Sequence, residues 1–193
     1  MAIVSQTILN LKYGQYKTSY HRVRSGTCVS FVCGDVSKKT PIVRIHSACL
    51  FGEAFFSYHC DCGQQLEQTM QKIKKHGCGV IVYSYDEGRG IGLEKKIKSM
   101  GIENTDGLNT LEAFKKLGFK KHDYRNYKKE VQALKDLHLK KEIWLVSNNP
   151  QKVKALETGG FLIKKFIKLK IKINNYNKGE LLLKKSHLNY YID

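Results

Sequence analysis

Apolar residues in this chain gather into short runs, and stretches of helical period separate them. Residues 28–34 (CVSFVCG), 41–45 (PIVRI), 79–83 (GVIVY) and 142–147 (EIWLVS) are such runs. A short apolar run bounded by turn residues predicts a buried strand. Over 64–75, Leu66, Met70 and Ile73 share one helical face, and over 126–138 Tyr127, Val131, Leu134 and Leu137 do the same. Pro150 after two asparagines predicts a helix over 150–158, because proline is favoured in a first turn. Gly159-Gly160 ends that helix. The alternation predicts an α/β (α+β) fold, a mixed β-sheet core with flanking helices. With no internal repeat or long linker, the 193 residues form a single domain, 1–193.

The tail from 164 to 193 is lysine-rich and patterned differently. LKIKI at 169–173 alternates with period two, one face apolar and one face lysine. This predicts an edge strand shielded by charge. A nucleic-acid surface is the sharper alternative, weakened because no aromatics interleave the lysines to stack on bases.

Charge changes the picture only partly. Lys and Arg total 34 against 17 acidic residues, a net charge of +17, which suits a polyanionic ligand. The arginines are few: Arg22, Arg24, Arg44, Arg89 and Arg125. The last three sit inside the motif segments below. A guanidinium offers a planar fork to phosphate or carboxylate that lysine cannot reproduce. No apolar run is long enough to span a membrane. The start, MAIVSQTILNLKYG, lacks the basic and apolar regions of a signal peptide. The expected compartment is the cytoplasm, where the six cysteines stay reduced.

Three of those cysteines carry chemistry. Cys49, Cys60 and Cys62 read Cys-x10-Cys-x-Cys, beside the polar His46, Ser47, His59 and Asp61. Three thiolates can hold one zinc and leave a fourth position for water, an arrangement of hydrolytic rather than structural sites. His59 is the rival fourth ligand. Buried free thiols are the plainer reading, and it is the one that suits Cys28, Cys33 and Cys78 in their apolar runs.

Further segments join this cluster. DEGRGIGL at 86–93 is a glycine-rich turn with a carboxylate and an arginine, where backbone N–H groups can approach an anion. DYRNY at 123–127 places Asp123 and Arg125 two apart before a helix. SNNPQK at 147–152 joins a strand to a helix. Each is ambiguous alone. Together and in this order, GDVSKKTPIVRIHSACL, FFSYHCDCGQQLE, DEGRGIGL, NTLEAFKKLGF, DYRNY and SNNPQKVKAL resemble GTP cyclohydrolase II, which opens GTP at the start of riboflavin synthesis. The matching core runs from about residue 34 to 160.

The resemblance implies a hydrolase for GTP with one Zn²⁺ per chain on Cys49, Cys60 and Cys62. A water there attacks C8 of guanine, opens the imidazole ring, and pyrophosphate is released. Asp123 is in the position of the proton acceptor. Arg125 is in the position proposed to attack the α-phosphorus. A guanidinium is a poor nucleophile, so an electrostatic clamp on the phosphoryl group stands beside that role. The substrate contacts carried over are Arg44, Ile45, His46, Ser47, Gln65, Glu87, Gly88, Arg89, Thr110, Ser147 and Lys152. Mg²⁺ is expected with the triphosphate, and the working unit is expected to be a homodimer.

The departures are informative. The family's HSEC has Ala48 here, Asp86 stands for a glutamine, and DTVEAN has become NTLEAF with Asn109 and Phe114. A family tyrosine associated with the second, deformylating hydrolysis is replaced by Met100, which cannot donate a hydrogen bond. Tyr85 or Tyr124 are the hydroxyls that would have to substitute. The expected product is therefore the ring-opened formamidopyrimidine rather than its deformylated form. A related zinc hydrolase on another purine nucleotide and a noncatalytic zinc protein binding nucleic acid are the alternatives.

Overall fold

A computed structural model describes residues 3–188 and residue 190. The tail positions 189 and 191–193 lie outside the described residues, as do 1 and 2. Three antiparallel strands open the chain: β1 (Ile3–Leu11), β2 (Gly14–Val23) and β3 (Gly26–Cys33). Then follow β4 (Ile42–Ser47), the single turn α1 (Leu50–Glu53), α2 (Cys62–His76), β5 (Gly79–Ser84) and a 3₁₀ turn at Glu87–Gly90. The remainder is α3 (Leu93–Asp106), α4 (Thr110–Lys116), α5 (Lys128–Asp136), β6 (Glu142–Leu145), α6 (Pro150–Thr158), β7 (Leu162–Phe166) and α7 (Lys178–His187).

All seven strands make one mixed sheet, ordered β1-β2-β3-β5-β4-β6-β7. β4 pairs parallel with both β5 and β6, and β6 pairs parallel with β7. Each face buries its own apolar layer. Val43, Ile45, Val80 and Val82 pack with Val131 and Leu134 of α5 and Leu156 of α6. Ile42 and Ile81 pack on the other face with Ile73 of α2, and Leu66 and Met70 support them. The period of two along β4 therefore sends Val43 and Ile45 to one side and leaves Arg44 and His46 on the α2 side.

The four strand runs and three helices expected from the periodicity are present, with shifted ends. The run 142–147 stops as a strand at Leu145. One expectation fails. Residues 169–173 form no strand. They run beside α2, and two glutamines take the place of a neighbouring strand. Gln68 exchanges hydrogen bonds with the backbone of Lys170, accepting from its N–H at 3.0 Å and donating to its carbonyl at 2.6 Å. Gln64 does the same with Lys172, at 2.8 and 3.4 Å. The alternation was real, since Leu169 packs into the α2-side layer, but side chains satisfy the backbone instead of a sheet edge.

Candidate active site

The site forms beyond the C-terminal ends of β4, β5 and β6, where open parallel sheets bind ligands. Arg44 is buried. Its Nε donates to His46 Nδ1 at 2.9 Å, Nη1 to the Val146 carbonyl at 3.4 Å, and Nη2 to Gln65 Oε1. A donor on Nδ1 places the imidazole proton on Nε2, which donates to Glu53 at 2.9 Å. Burial, and then the Arg44 charge, push the His46 pKa down to about 4. The His46–Glu53 contact is thus a neutral hydrogen bond rather than an ion pair. Glu53 also accepts from the Cys49 N–H at 2.9 Å and from the Tyr83 hydroxyl at 2.8 Å. This chain of bonds fixes the backbone that presents Cys49.

Cys49 precedes α1, while Cys60 and Cys62 flank the start of α2. Their sulfurs lie within 4.8 Å of one another, with Cys49 and Cys60 at 3.6 Å. Tetrahedral zinc with Zn–S of about 2.3 Å sets sulfurs roughly 3.8 Å apart, so the three thiols fit zinc. Their electrostatics fit as well. Hydrogen bonds from Cys60 and Cys62 push the Cys49 pKa down, with Lys96 adding to the effect. The bond with Cys49 pushes Cys60 up, and bonds with Cys49 and Cys60 push Cys62 up. One thiolate is easy to make and the next are hard, unless a cation joins them. His59 packs its ring on Tyr176, centroids 5.3 Å apart, and is outside the cluster of ligand atoms.

Lys96 and Glu87 brace this cluster. The Lys96 ammonium donates to Cys49 Sγ at 3.3 Å and to Glu87 Oε1 at 2.5 Å. Glu87 Oε2 accepts from the Leu50 N–H at 2.9 Å. Both oxygens of Glu87, expected to touch substrate, are therefore engaged in holding α1. Gly88 and Arg89 take left-handed backbone, φ 60° and 59°. For arginine this costs about 1 kcal/mol or more. The Arg89 carbonyl accepts from the Tyr124 N–H at 2.9 Å, which docks the turn on the DYR segment.

Arg125 and Asp123 form a forked pair, with Nε to Oδ1 at 2.9 Å and Nη2 to Oδ2 at 2.6 Å. Nη1 donates to Ser47 Oγ at 3.2 Å. Burial opposes the charge, yet the Asp123 fork holds the Arg125 pKa well above its ordinary value. Asp123 is only 4 % exposed and sits behind Arg125. Lys152, on α6, donates to the Ile45 carbonyl at 2.9 Å. Burial, Arg125 and Arg44 push the Lys152 pKa far down. Arg125 carries its own carboxylate in Asp123, while burial and the charges of Arg125 and Arg44 disfavour a proton on Lys152, so an anion bound here would favour the charged lysine.

A cavity of about 430 Å³ joins these parts, lined by the three cysteines together with Arg44, His46, Ser47, Gln65 and Glu87. Gly88, Arg89, Met100, Thr110, Arg125 and Lys152 complete the expected residues on its wall. Two expected contacts stand apart. The Ile45 side chain is in the core and only its carbonyl reaches Lys152. Ser147 lines an adjoining smaller cavity of about 140 Å³, which shares Arg44 and Lys152.

The sequence model of one family, GTP cyclohydrolase II, matches residues 2–168. The chain belongs to the GTP cyclohydrolase II family. It is 41 % identical over 163 residues to the GTP cyclohydrolase-2 of Shewanella sediminis (strain HAW-EB3), covering 84 % of this chain and 78 % of that protein. It is 38 % identical over 180 residues to the GTP cyclohydrolase-2 of Buchnera aphidicola subsp. Acyrthosiphon pisum (strain APS), 92 % and 91 % of the two chains. Its identity with the riboflavin biosynthesis protein RibBA of Chlorobium phaeovibrioides is 44 % over 165 residues, 85 % of this chain, which spans only 40 % of that protein's length.

Set against the GTP cyclohydrolase II pattern, the departures acquire local roles. Asn109 caps α4 and accepts from the Leu111 and Glu112 N–H groups. Asp86 accepts from Lys129 at 2.6 Å. Phe114 lies under the Arg89 guanidinium, 5.8 Å from its ring centre. Ala48 and Met100 face the cavity. Neither stand-in tyrosine is on its wall. Tyr124 holds the Lys120 and Lys121 N–H groups, and Tyr85 is 63 % exposed.

Sequence reasoning missed the C-terminal helix entirely. α7 lies past the family match, yet it walls the cavity with Gly179, Glu180, Leu183 and Lys184. Lys184 pairs with Asp61, which lies between Cys60 and Cys62, at 2.9 Å. Tyr190 accepts from Asn149 at 2.8 Å and from Arg125 at 3.4 Å. Residues 178–187 (KGELLLKKSH) carry no periodic signal strong enough to announce this helix.

Proposed function

We propose that this protein is a zinc-dependent GTP cyclohydrolase of type II that opens the guanine imidazole ring at C8 and releases pyrophosphate. One observation carries the reading: a zinc-compatible thiol triad and a buried cationic cluster of Arg44, Arg125 and Lys152 share one cavity. The first suits hydrolysis at a ring carbon, and the second suits a triphosphate.

Zinc held by Cys49, Cys60 and Cys62 would supply Lewis acidity that makes a water nucleophilic near neutral pH. The chain's own groups do the rest. Arg44 and Lys152 receive phosphate charge. Arg125 acts as an electrostatic clamp at the α-phosphate, a role its raised pKa favours over nucleophilic attack. Turning its fork from Asp123 to phosphate frees that carboxylate to accept a proton, so substrate binding and release of the base are one event. Mg²⁺ with the triphosphate, a homodimer and a cytoplasmic location complete the reading on the family resemblance. No helix among the described residues is long and apolar enough to cross a membrane.

Met100 decides the product. The second hydrolysis needs the formamide held and polarised on a flexible opened ring. A single aligned donor is worth about 10²–10³ in rate, and a thioether donates nothing. The reaction is therefore arrested at the formamidopyrimidine ribotide. The deciding experiment measures zinc per chain and the products of a GTP incubation by mass spectrometry. The proposal predicts about one zinc per chain and a ring-opened product, both lost in Cys60→Ser. Ring opening by a metal-free Cys60→Ser protein would refute it.

A further inference from the structure

The cavity is electrically polar, and its two ends differ in what they can bind. Arg44 and Lys152 line both the main cavity and the smaller one beside Ser147 and Asn148, which marks the phosphate end. The main cavity alone is lined by Arg89, the apolar Met100, Leu108, Phe114 and Leu183 and two carboxyl groups, Glu103 and Glu180, with the Phe114 ring 5.8 Å from the Arg89 guanidinium. Such a slot suits the flat face of a base.

Within it the hydrogen-bonding groups are incompletely used. Arg89 is 10 % exposed on its side chain, and its Nη2 donates to Glu180 Oε1 at 2.6 Å. Its Nη1 is buried with no hydrogen-bond partner among the described residues. A buried orphan donor is costly unless a ligand supplies the acceptor. Glu180 Oε1 also faces the Lys184 ammonium at 3.7 Å, whereas Oε2 shares the single Thr110 hydroxyl proton, 3.2 Å away, with Glu103 at 3.0 Å, so accepting capacity remains chiefly on Oε2. Burial works against its charge, but Arg89 and Lys184 hold Glu180 below its ordinary pKa, as an acceptor.

A donor beside a carboxylate acceptor complements one base edge. Guanine presents an acceptor, O6, next to two donors, N1–H and the 2-amino group. Adenine presents a donor where O6 stands and an acceptor at N1, which would face Arg89 and Glu180 with like against like.

We propose that Glu180, on the C-terminal helix beyond the family match, is a specificity residue that accepts from N1–H and the 2-amino group of guanine while Arg89 Nη1 donates to O6. The assignment rests on the nucleotide reading above. It makes α7 part of the substrate site rather than an appendage. The rival is that Glu180 merely occupies Arg89 until a phosphate displaces it.

The test compares steady-state turnover and equilibrium binding of GTP and inosine triphosphate, which lacks only the 2-amino group. Wild type, Glu180→Ala and the near-isosteric Glu180→Gln are measured, with melting curves for each. A lost hydrogen bond to a charged acceptor predicts about a 10- to 100-fold fall in kcat/KM for GTP, carried by KM. The GTP-to-inosine preference should shrink in step. That ratio is independent of the folded fraction. An unchanged ratio, or tighter GTP binding in Glu180→Ala, overturns the proposal and supports the rival. Absence of GTP opening in the wild-type protein would instead refute the parent reading.

Discussion

Gly52 lies directly beneath the sulfur of Cys60: a Cβ added to Gly52 would stand 2.5 Å from Cys60 Sγ and 3.3 Å from Cys49 Sγ. The glycine is there because two thiols converge over its Cα. Gly52→Ala should push Cys60 out of the triad. Overpacking of this kind costs about 1–3 kcal/mol, and the loss should appear as zinc affinity weaker by tenfold or more. Gly101→Ala, in α3 with nothing within 4 Å, is the control and should hold zinc normally. Equal zinc binding by the two variants would remove Gly52 from the metal site.

Arg125 should tolerate no substitution by lysine. Arg125→Lys keeps the charge but loses the fork that spans Asp123 and Ser47. Nucleotide binding should persist while pyrophosphate release falls by about 10²–10³. Lys152→Ala should act differently, raising KM more than it lowers kcat, because an ammonium serves as a point charge. Wild-type pyrophosphate release by Arg125→Lys would remove Arg125 from the chemistry.

Formate and pyrophosphate should part company. In the wild-type protein pyrophosphate release should greatly exceed formate release, because Met100 lines the cavity and neither Tyr85 nor Tyr124 does. Met100→Tyr should restore some formate. Equal yields of the two in the wild-type protein would sink the arrested product.

His46 should make the protein acid-sensitive in a defined window. Its folded pKa is lowered from 6.5 to about 4, so the unfolded chain binds the proton first. Stability is unaffected above the unfolded value, falls as pH drops from about 6.5 to about 4, and then levels. The full loss is about 3 kcal/mol. Urea midpoints against pH for wild type and His46→Gln should diverge over that window, with wild type losing more. Parallel curves would mean that the folded and unfolded chains protonate His46 alike.

Much of the site was legible in the chain because its chemistry depends on residue types at short spacing. Cys60-x-Cys62, Asp123-x-Arg125 and Ser147 to Lys152 each lie within one turn or one strand–helix junction, and folding preserves such distances. The strands β3 to β6 were legible because central strands covered on both faces must be apolar nearly throughout, whether antiparallel as β3 or parallel as β4 to β6. β1 was not, since its residues are almost all exposed and no burial pattern marks them. α3 was hidden for the same reason, with Ser99 its one buried residue among those described.

Local sequence alone determined the sheet's central strands, the helices that cover them and the choice of candidate metal-binding and anion-binding residues. Three things needed the tertiary structure. LKIKI alternates like a strand, but only the positions of Gln64 and Gln68 on α2 decide that side chains pair with it. Glu87 reads as a free carboxylate until Lys96 and the Leu50 N–H are seen to hold it. Glu180 joins Arg89 across 91 residues of chain, and no periodicity connects them. Spacing encodes what a single turn brings together. Contacts between distant elements depend on how whole faces pack, and that is settled only when the sheet closes its layers.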